Sequence, residues 1–351
     1  MKFATASSLI FSCALALAAG SAARAADPEV VISSTGGAFA KALQENFYEP
    51  FTAATKIKVV RVDTELPAQF ARLQAELKTG SSAFDIITAG PADLIEKRDL
   101  LQPIDCAKLP NLAKEGIEGA CTGWGIIRTL GGMVVTFNKE AFPKEKPSKW
   151  ADFWDVKTFP GPRGLPDTGD REWWVPTMAL LADGVPADKL FPLDLDRAYK
   201  KLDQLKPHVA VWYKSNDQAQ QALRKGDVVL AMVVSGRAVG VMKEGHPIDL
   251  NWNQSIRDVG LWAVAKGTRH PEAAMKFLDF FLGGAKAHLA FANVVNYDTG
   301  NRSSLELVPE AERSRRIAYP ENLKSQIVPD YKWVAENRDK LRERWNEWLL
   351  K

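Results

Sequence analysis

Residues 33–37, Ser-Ser-Thr-Gly-Gly, form a turn that follows an apolar run and precedes a helical pattern. A turn of this kind at a helix start presents free backbone N–H groups, and the helix dipole adds partial positive charge. Both favour an anionic group. We therefore expect Ser34, Thr35, Gly36 and Gly37 to contact a ligand. The alternative is that the glycines only permit a tight turn at the helix N-cap.

Charged residues form a second group of candidates. Asp170 and Glu172 precede a predicted helix, and Arg237 follows Ser235 at the end of a predicted strand. An arginine opposite the glycine turn would hold a carboxylate through two parallel hydrogen bonds, because the guanidinium is planar and fork-shaped. Each of these interpretations has a structural alternative. The alternative for the two acids is that they only stabilise the helix start through its dipole. The alternative for Arg237 is that it only pairs with Glu172 or Asp258 at the surface.

Further candidates follow from position along the chain. Thr88 and Ala89 end a predicted strand. Trp173 and Trp174 are adjacent and cannot both face one side of a helix, so one is expected in the core. The other, for which we take Trp173, is expected in the wall of a ligand site. Trp262 is open to the same two interpretations.

The elements that position these residues alternate between strand and helix. The first part of the chain is predicted to contain strand 29–34, an amphipathic helix over 39–51, strand 56–62, a helix over 67–80 and strand 84–88. This alternation implies a parallel sheet with right-handed crossovers. In such sheets ligands bind at the carboxyl ends of the strands, where the turns at 33–37 and 88–90 are expected.

A second alternating set follows a strand at 131–138 and a Pro- and Lys-rich stretch at 143–149. It is predicted to contain helices near 173–183, 196–206 and 217–225, strands at 208–213, 228–234 and 260–266, and helices over 271–281 and 334–349. The predicted fold class is therefore α/β, with two lobes that are each a mainly parallel sheet flanked by helices. A cleft between such lobes is a natural ligand site that closes by hinge motion.

The first 25 residues are typical of a cleaved export signal. Lys2 precedes a short apolar run, and Ala23-Arg24-Ala25 fits the small-x-small cleavage rule. The run is shorter than the roughly 20 apolar residues that span a bilayer. Cleavage after Ala25 would place the mature chain in the periplasm and remove two basic residues and no acid. The resulting near-neutral charge gives no reason to expect a nucleic acid or an anionic membrane as partner.

Cysteine and histidine usage bounds the chemistry further. Cys106 and Cys121 remain after cleavage, and in an oxidising compartment such a pair predicts a disulfide, with two buried thiols as the alternative. The four histidines follow no metal-binding spacing, and no G-x-S-x-G nucleophile motif is present. The sequence predicts no metal, no cofactor and no catalytic residue.

Several segments together resemble a known family, the periplasmic solute-binding proteins of ABC importers, in the spermidine/putrescine-like group. The segments that carry the resemblance are the opening strand and turn, 84–87 with 100–105, 149–154, and 232–237 with 262–264. The resemblance implies a two-lobe periplasmic-binding-protein fold of type II, with hinge crossovers between the lobes. It also implies a monomer that captures a small solute and delivers it to an inner-membrane ABC permease complex.

The resemblance also implies lobe boundaries. The N-terminal lobe is expected over 26–132 plus 260–300, and the C-terminal lobe over 133–259 plus 301–351.

Departures from the polyamine-binding pattern bear on the ligand. Polyamine binders surround their ligand with aromatic rings and carboxylates, because desolvated cations need both. Where the pattern has Trp-Asn, this chain has Val234 and Ser235, and where it has an acid near position 260, this chain has Gly260. Asp258 lies two residues away from that position. A ligand with a carboxylate and an amine, such as γ-aminobutyrate, therefore fits better than a polyamine.

Three alternatives remain beside an amino acid or carboxylate. The first is a polyamine-like ligand. The second is a ferric-ion binder on the same fold. Such a site would contain adjacent tyrosines with an acid and a histidine, whereas the six tyrosines here are dispersed. The third is a periplasmic hydrolase, for which no motif is present.

Overall fold

A computed structural model describes residues 28–34, 36–169 and 172–351. The predicted export signal over 1–25 and the predicted site residues Thr35 and Asp170 lie outside the described residues. Within the described residues, no helix is long and apolar enough to cross a membrane.

The strands form one mixed sheet. In chain order they are β1 Glu29–Ser34, β2 Lys58–Asp63, β3 Ile86–Ala89, β4 Leu101–Gln102, β5 Ile126–Asn138, β6 Arg163–Pro166, β7 Val209–Tyr213, β8 Leu230–Val234 and β9 Ile248–Ala265. Their order across the sheet is β2-β1-β3-β9-β5-β8-β6-β7, and β4 pairs with β9 beside β3. β1 runs parallel to β2 and β3, and β6 runs parallel to β7 and β8. Each end of the sheet is therefore a parallel α/β unit.

Helices flank the sheet. They are α1 Gly37–Leu43, α2 Glu49–Thr55, α3 Leu66–Leu77, α4 Asp93–Glu96, α5 Pro110–Glu115, α6 Trp174–Ala182, α7 Leu195–Leu205, α8 Asn216–Lys225, α9 Ser235–Lys243, α10 Pro271–Leu282, α11 Ala285–Val295, α12 Ser303–Glu306, α13 Glu310–Arg313, α14 Pro320–Ser325, α15 Tyr331–Glu336 and α16 Arg338–Leu350. A π-helical segment, Gln44–Tyr48, joins α1 to α2. Short 3₁₀ turns lie at Arg98–Leu100, Cys106–Lys108, Trp150–Phe153, Ala187–Lys189 and Lys206–His208.

The long strands β5 and β9 connect the two α/β units. They pair antiparallel from Ile126 opposite Trp262 to Asn138 opposite Ile248, with irregularities in register on the way. Because β3 pairs with β9 and β8 pairs with β5, the two central strands belong to both units. The predicted strands at 131–138 and 260–266 are thus parts of longer elements that cross between the lobes.

Buried side chains gather in separate cores on the two sides of these strands. One core contains Trp150, Trp174 and Trp345, and another contains Phe47 and Trp262. The two-lobe α/β fold predicted from the sequence is confirmed by this arrangement. The exact lobe boundaries stay a prediction.

Local sequence explains several of the elements. Strand β1 has the residues predicted, a buried apolar run that ends in serines. Helix α10 begins with Pro271. Proline has no backbone N–H, but an N–H at the first helical position would have no partner within the helix, so no hydrogen bond is lost. Helix α7 is N-capped by Asp194, whose side chain accepts a hydrogen bond from the backbone N–H of Arg197. The final helix predicted over 334–349 is divided into α15 and α16, and α9 and α11 were not predicted.

The predicted disulfide is present. Cys106 and Cys121 are bridged, with their Cα atoms 6.1 Å apart, and the bridge closes a loop in front of β5. This loop includes helix α5, so the bridge ties the periphery of the N-terminal α/β unit to the start of a central strand.

Candidate functional site

A cavity of about 1010 Å³ lies between the two α/β units. Its walls come from the end of β3 and the following turn, from helices α3 and α4, from the centre of β5 and β9, and from the starts of α6 and α16. The cavity therefore lies at the carboxyl end of β3 and beside the two central strands, where the topology of an α/β sheet places ligands.

Arg128 is a buried cation in the wall of this cavity. It lies on β5 at an irregularity between Ile127 and Thr129, where the register with β9 shifts. A bulge of this kind re-aims the side chain of the extra residue. Arg128 is only 7% exposed, and its Nη1 donates a hydrogen bond to Oγ1 of Thr88 over 2.9 Å. Its guanidinium also lies over the ring of Phe39, 4.8 Å from the centroid.

The charge of Arg128 is uncompensated by the described part of the chain. Among these residues, no acidic side chain forms an ion pair with Arg128, and its Nε has no hydrogen-bond partner. Burial lowers the pKa of Arg128 to about 10, which the nearby Tyr48 partly opposes. The guanidinium is thus still charged at neutral pH. A buried charge without a partner is costly, so this position is suited to an anionic ligand.

Gly260 on β9 makes room for the guanidinium. A β-carbon at this position would lie 2.5 Å from Oγ1 of Thr129 and 3.2 Å from Nη2 of Arg128. Contacts this close require the neighbouring side chains to move. Gly260, which departs from the polyamine-binding pattern, therefore leaves room in the cavity wall for the guanidinium of Arg128.

Asp258 lies on the same side of β9 as Gly260. Both line the cavity, and two residues along a strand are separated by roughly 6.6 Å. Asp258 therefore brings a carboxylate to the same cavity as the guanidinium of Arg128. The cavity wall thus carries charges of both signs.

Arg257 also reaches the cavity, but its guanidinium is engaged elsewhere. Its Nε donates to Oε1 of Gln326 over 2.9 Å, and its backbone oxygen accepts a hydrogen bond from the hydroxyl of Tyr331 over 3.0 Å. Burial lowers the pKa of Arg257 as well. Of the two arginines, Arg128 offers the more available donors.

Aromatic side chains form part of the wall. Trp173 and Trp174 both line the cavity, although the sequence predicted only one of them there. Trp173 meets Tyr331 edge to face, with centroids 6.4 Å apart. Tyr297 packs so closely against Gly131 and Gly236 that a β-carbon at either glycine would overlap its ring. These rings provide apolar surface for the carbon chain of a ligand.

The structure brings some of the sequence-predicted residues to the cavity and not others. Thr88, Ala89, Trp173 and Asp258 line it. Ser34, Gly36 and Gly37 are not among the lining residues. Ser34 is buried at the end of β1, and the two glycines have positive φ at the start of α1, a backbone conformation that favours glycine.

The remaining predicted residues are also not among those that line the cavity. Glu172 is buried, with Arg342 Nε 3.7 Å from its carboxylate. Ser235 begins α9, and its Oγ accepts a hydrogen bond from the backbone of Gly132 over 3.3 Å. The side chain of Arg237 is 43% exposed and pairs with Asp217 at 3.7 Å. Arg237 thus forms a surface ion pair, as the alternative interpretation expected, but with Asp217 instead of Glu172 or Asp258.

Trp262 belongs to a core. It is fully buried, and its ring contacts Tyr48, Phe277 and Phe281 beneath the helices of the N-terminal unit. It follows Gly260 on the same side of β9 but lies deeper in the lobe.

Sequence reasoning missed Arg128. The available signal was that Arg128 is the single charged residue in the run from Ile126 to Phe137. A lone charge in a fully buried strand needs a partner or a function. Within the described residues, no group of three or more His, Cys, Asp or Glu side chains gathers where it could hold a metal ion.

Comparison with known proteins agrees with this geometry. A family model described as a bacterial extracellular solute-binding protein matches residues 46–316. The chain is 30% identical over 342 residues to the gamma-aminobutyric acid-binding protein of Pseudomonas aeruginosa, with 95% of each chain covered. It is 26% identical over 284 residues to the spermidine/putrescine-binding periplasmic protein of Escherichia coli, with 78% of this chain and 79% of that protein covered.

A solved structure has the same fold. It is an ABC transporter substrate-binding protein from Bradyrhizobium japonicum, which superposes with a TM-score of 0.80 at 29% identity and covers 92% of this chain and 100% of that one. Two α/β lobes with a polar cleft between them are the architecture of this chain and of that neighbour. The chain belongs to the bacterial extracellular solute-binding protein family.

Proposed function

We propose that this protein binds a small amino acid with separated carboxylate and amine groups, of the type of γ-aminobutyrate. The observation that carries the proposal is the guanidinium of Arg128, which is buried in the cavity wall and has no acidic partner among the described residues. The carboxylate of the ligand serves as that partner. Because Arg128 also binds Thr88, its guanidinium is held in one orientation, and little side-chain entropy is lost on binding.

Asp258 receives the amine in this proposal. Four bonds separate the nitrogen of γ-aminobutyrate from its carboxylate carbon, a span of about 5 Å in the extended form. This length suits the separation expected between the neighbourhood of Gly260 and Asp258 on one strand. Trp173 and Tyr297 then cover the methylene groups between the charged ends.

A polyamine fits the same wall less well. It has no anionic group, so one of its ammonium groups would lie near the buried guanidinium or leave it unpaired. Both situations are unfavourable in a site of low dielectric. The name of the Pseudomonas aeruginosa relative supports the amino-acid proposal, and the name of the Escherichia coli relative supports the polyamine alternative.

Isothermal titration calorimetry distinguishes these ligands. The purified mature chain is titrated with γ-aminobutyrate, with succinate as a dicarboxylate, and with putrescine and spermidine. We expect γ-aminobutyrate to bind most tightly and putrescine, which replaces the carboxylate by a second amine, to bind at least tenfold more weakly. Tighter binding of either polyamine than of γ-aminobutyrate would overturn the proposal.

The remaining steps of the function follow from the family and the fold. We propose that the chain is exported, cleaved after Ala25 and active in the periplasm as a monomer, and that it performs no catalysis. The lobes, with the boundaries predicted above, close over the ligand by bending β5 and β9, and the closed form docks on the permease. N-terminal sequencing of protein isolated from the periplasm tests the cleavage and should begin at Ala26.

A further inference from the structure

Arg338, which is far from Arg128 in the sequence, forms ion pairs across the cavity. Arg338, the first residue of α16, has its Nε 2.7 Å from Oε1 of Glu96 and its Nη2 3.6 Å from Oδ1 of Asp93. All three residues line the cavity. Their side chains are between 12% and 32% exposed, so the pairs are partly shielded from solvent.

The partners in these pairs are anchored in different cores. Helix α16 packs through Leu341 and Trp345 into the core that contains Trp174. Helix α4 packs through Leu94 into a core that contains Ile87 of β3. The pairs of Arg338 with Asp93 and Glu96 therefore join the two lobes directly across the cleft.

Asp93 connects these pairs to the candidate ligand site. While its Oδ1 faces Arg338, its Oδ2 accepts a hydrogen bond from the backbone N–H of Gly90 over 2.8 Å. Gly90 follows Thr88 and Ala89 in the wall of the cavity, and Thr88 accepts the hydrogen bond from Arg128. The carboxylate of Asp93 thus contacts Arg338 across the cleft and also binds the turn at 88–90, which lines the candidate site.

We propose that Arg338 is an interlobe latch: it favours the closed form of the protein and positions the turn at 88–90, without contacting the ligand. The physical basis is that the cation pairs with two carboxylates on the opposite lobe, so any movement that parts the lobes separates it from both. Opening the cleft exposes all three groups to water. Because apparent affinity scales with the population of the binding-competent form, losing the latch weakens binding even though every ligand contact is kept.

The latch can be tested independently of the ligand's identity. The variant Arg338→Gln removes the cation and keeps a polar, unbranched side chain. The matched control is Arg344→Gln on the same helix, because Arg344 pairs with Asp196 at 2.6 Å within its own lobe. Small-angle X-ray scattering of both ligand-free variants and of the wild-type protein measures the radius of gyration.

We expect Arg338→Gln to be more extended than the wild-type protein, and Arg344→Gln to match the wild type. Titration with γ-aminobutyrate should show affinity about two- to fivefold weaker for Arg338→Gln alone, the size expected for a partly exposed pair. Glu96→Gln should change both quantities in the same direction. Equal radii of gyration for the two arginine variants and the wild type would overturn the latch, whichever ligand the protein binds.

Discussion

Arg128 occupies space that the absence of a side chain at Gly260 leaves open, since a β-carbon there would lie 3.2 Å from Nη2 of Arg128. Gly260→Ala should therefore displace the guanidinium and weaken the binding of γ-aminobutyrate by about tenfold, which corresponds to about 1.4 kcal/mol. Calorimetric titration measures the change. Gly240→Ala is the matched control, because its β-carbon would meet only the side-chain ends of Gln220 and Asn296. Unchanged affinity in Gly260→Ala would show that position 260 does not constrain the site.

Asp258 should determine recognition of the amine. Asp258→Asn keeps the shape of the side chain and removes its charge, so binding of γ-aminobutyrate should weaken by about 10- to 100-fold, the loss expected when a charged hydrogen-bond partner is removed. Binding of succinate, which has no amine, should stay the same or strengthen. Competition titrations with the two ligands check this difference. An equal loss for both ligands would contradict a specific role for Asp258 at the amine.

The disulfide should contribute stability without affecting binding. The bridge between Cys106 and Cys121 closes a loop with a sequence separation of 15 and lies away from the cavity lining. Replacing both cysteines by serine should lower the free energy of unfolding by about 3 kcal/mol, as expected for a loop of this size. Chemical denaturation of the variant and the wild type measures the difference. Affinity for γ-aminobutyrate should be retained, and its loss would indicate that the loop shapes the cavity.

His288 should make the protein less stable in acid. Burial lowers its pKa from 6.5 to about 4 in the folded protein, where its ring lies between Phe47 and Phe281. Between these two pKa values the unfolded chain binds a proton that the folded chain does not. The free energy of unfolding should therefore fall as the pH drops from about 6.5 to 4, by roughly 2–4 kcal/mol in total.

Denaturation of His288→Phe at several pH values checks this dependence. The variant cannot titrate at this position, so its stability should change less than that of the wild type between pH 6.5 and 5. A slope in His288→Phe equal to that of the wild type would assign the acid sensitivity to other groups.

The sequence predicted the architecture well because local patterns and topology rules both pointed to it. Buried apolar runs such as β1 and Pro-initiated helices such as α10 have clear signals, and alternation of strands and helices implies parallel sheets. The continuity of β9 across both lobes was not predicted. Its sequence from Ile248 mixes polar and apolar residues, and its pairing with β5, joined near its end by β3 and β4, keeps it extended.

The site was predicted only in part, and the reason is side-chain direction. Strand ends located Thr88 and Ala89, which line the cavity, but a strand end does not specify which side chains face it. Trp262 shares a strand face with Gly260 yet lies under helices in the core. Arg128 is aimed by a local irregularity in strand pairing, which depends on a partner strand more than 100 residues away.

The central claim is that the guanidinium of Arg128 binds a carboxylate, and it is tested most directly by comparing Arg128→Gln with Arg237→Gln in titrations with γ-aminobutyrate. Both variants lose one positive charge, but Arg128 is buried in the cavity wall, whereas Arg237 is exposed and paired with Asp217. We predict at least a 30-fold loss of affinity for Arg128→Gln, from about 2 kcal/mol for a buried charged partner, and wild-type affinity for Arg237→Gln. Wild-type affinity in a folded Arg128→Gln protein would contradict the account.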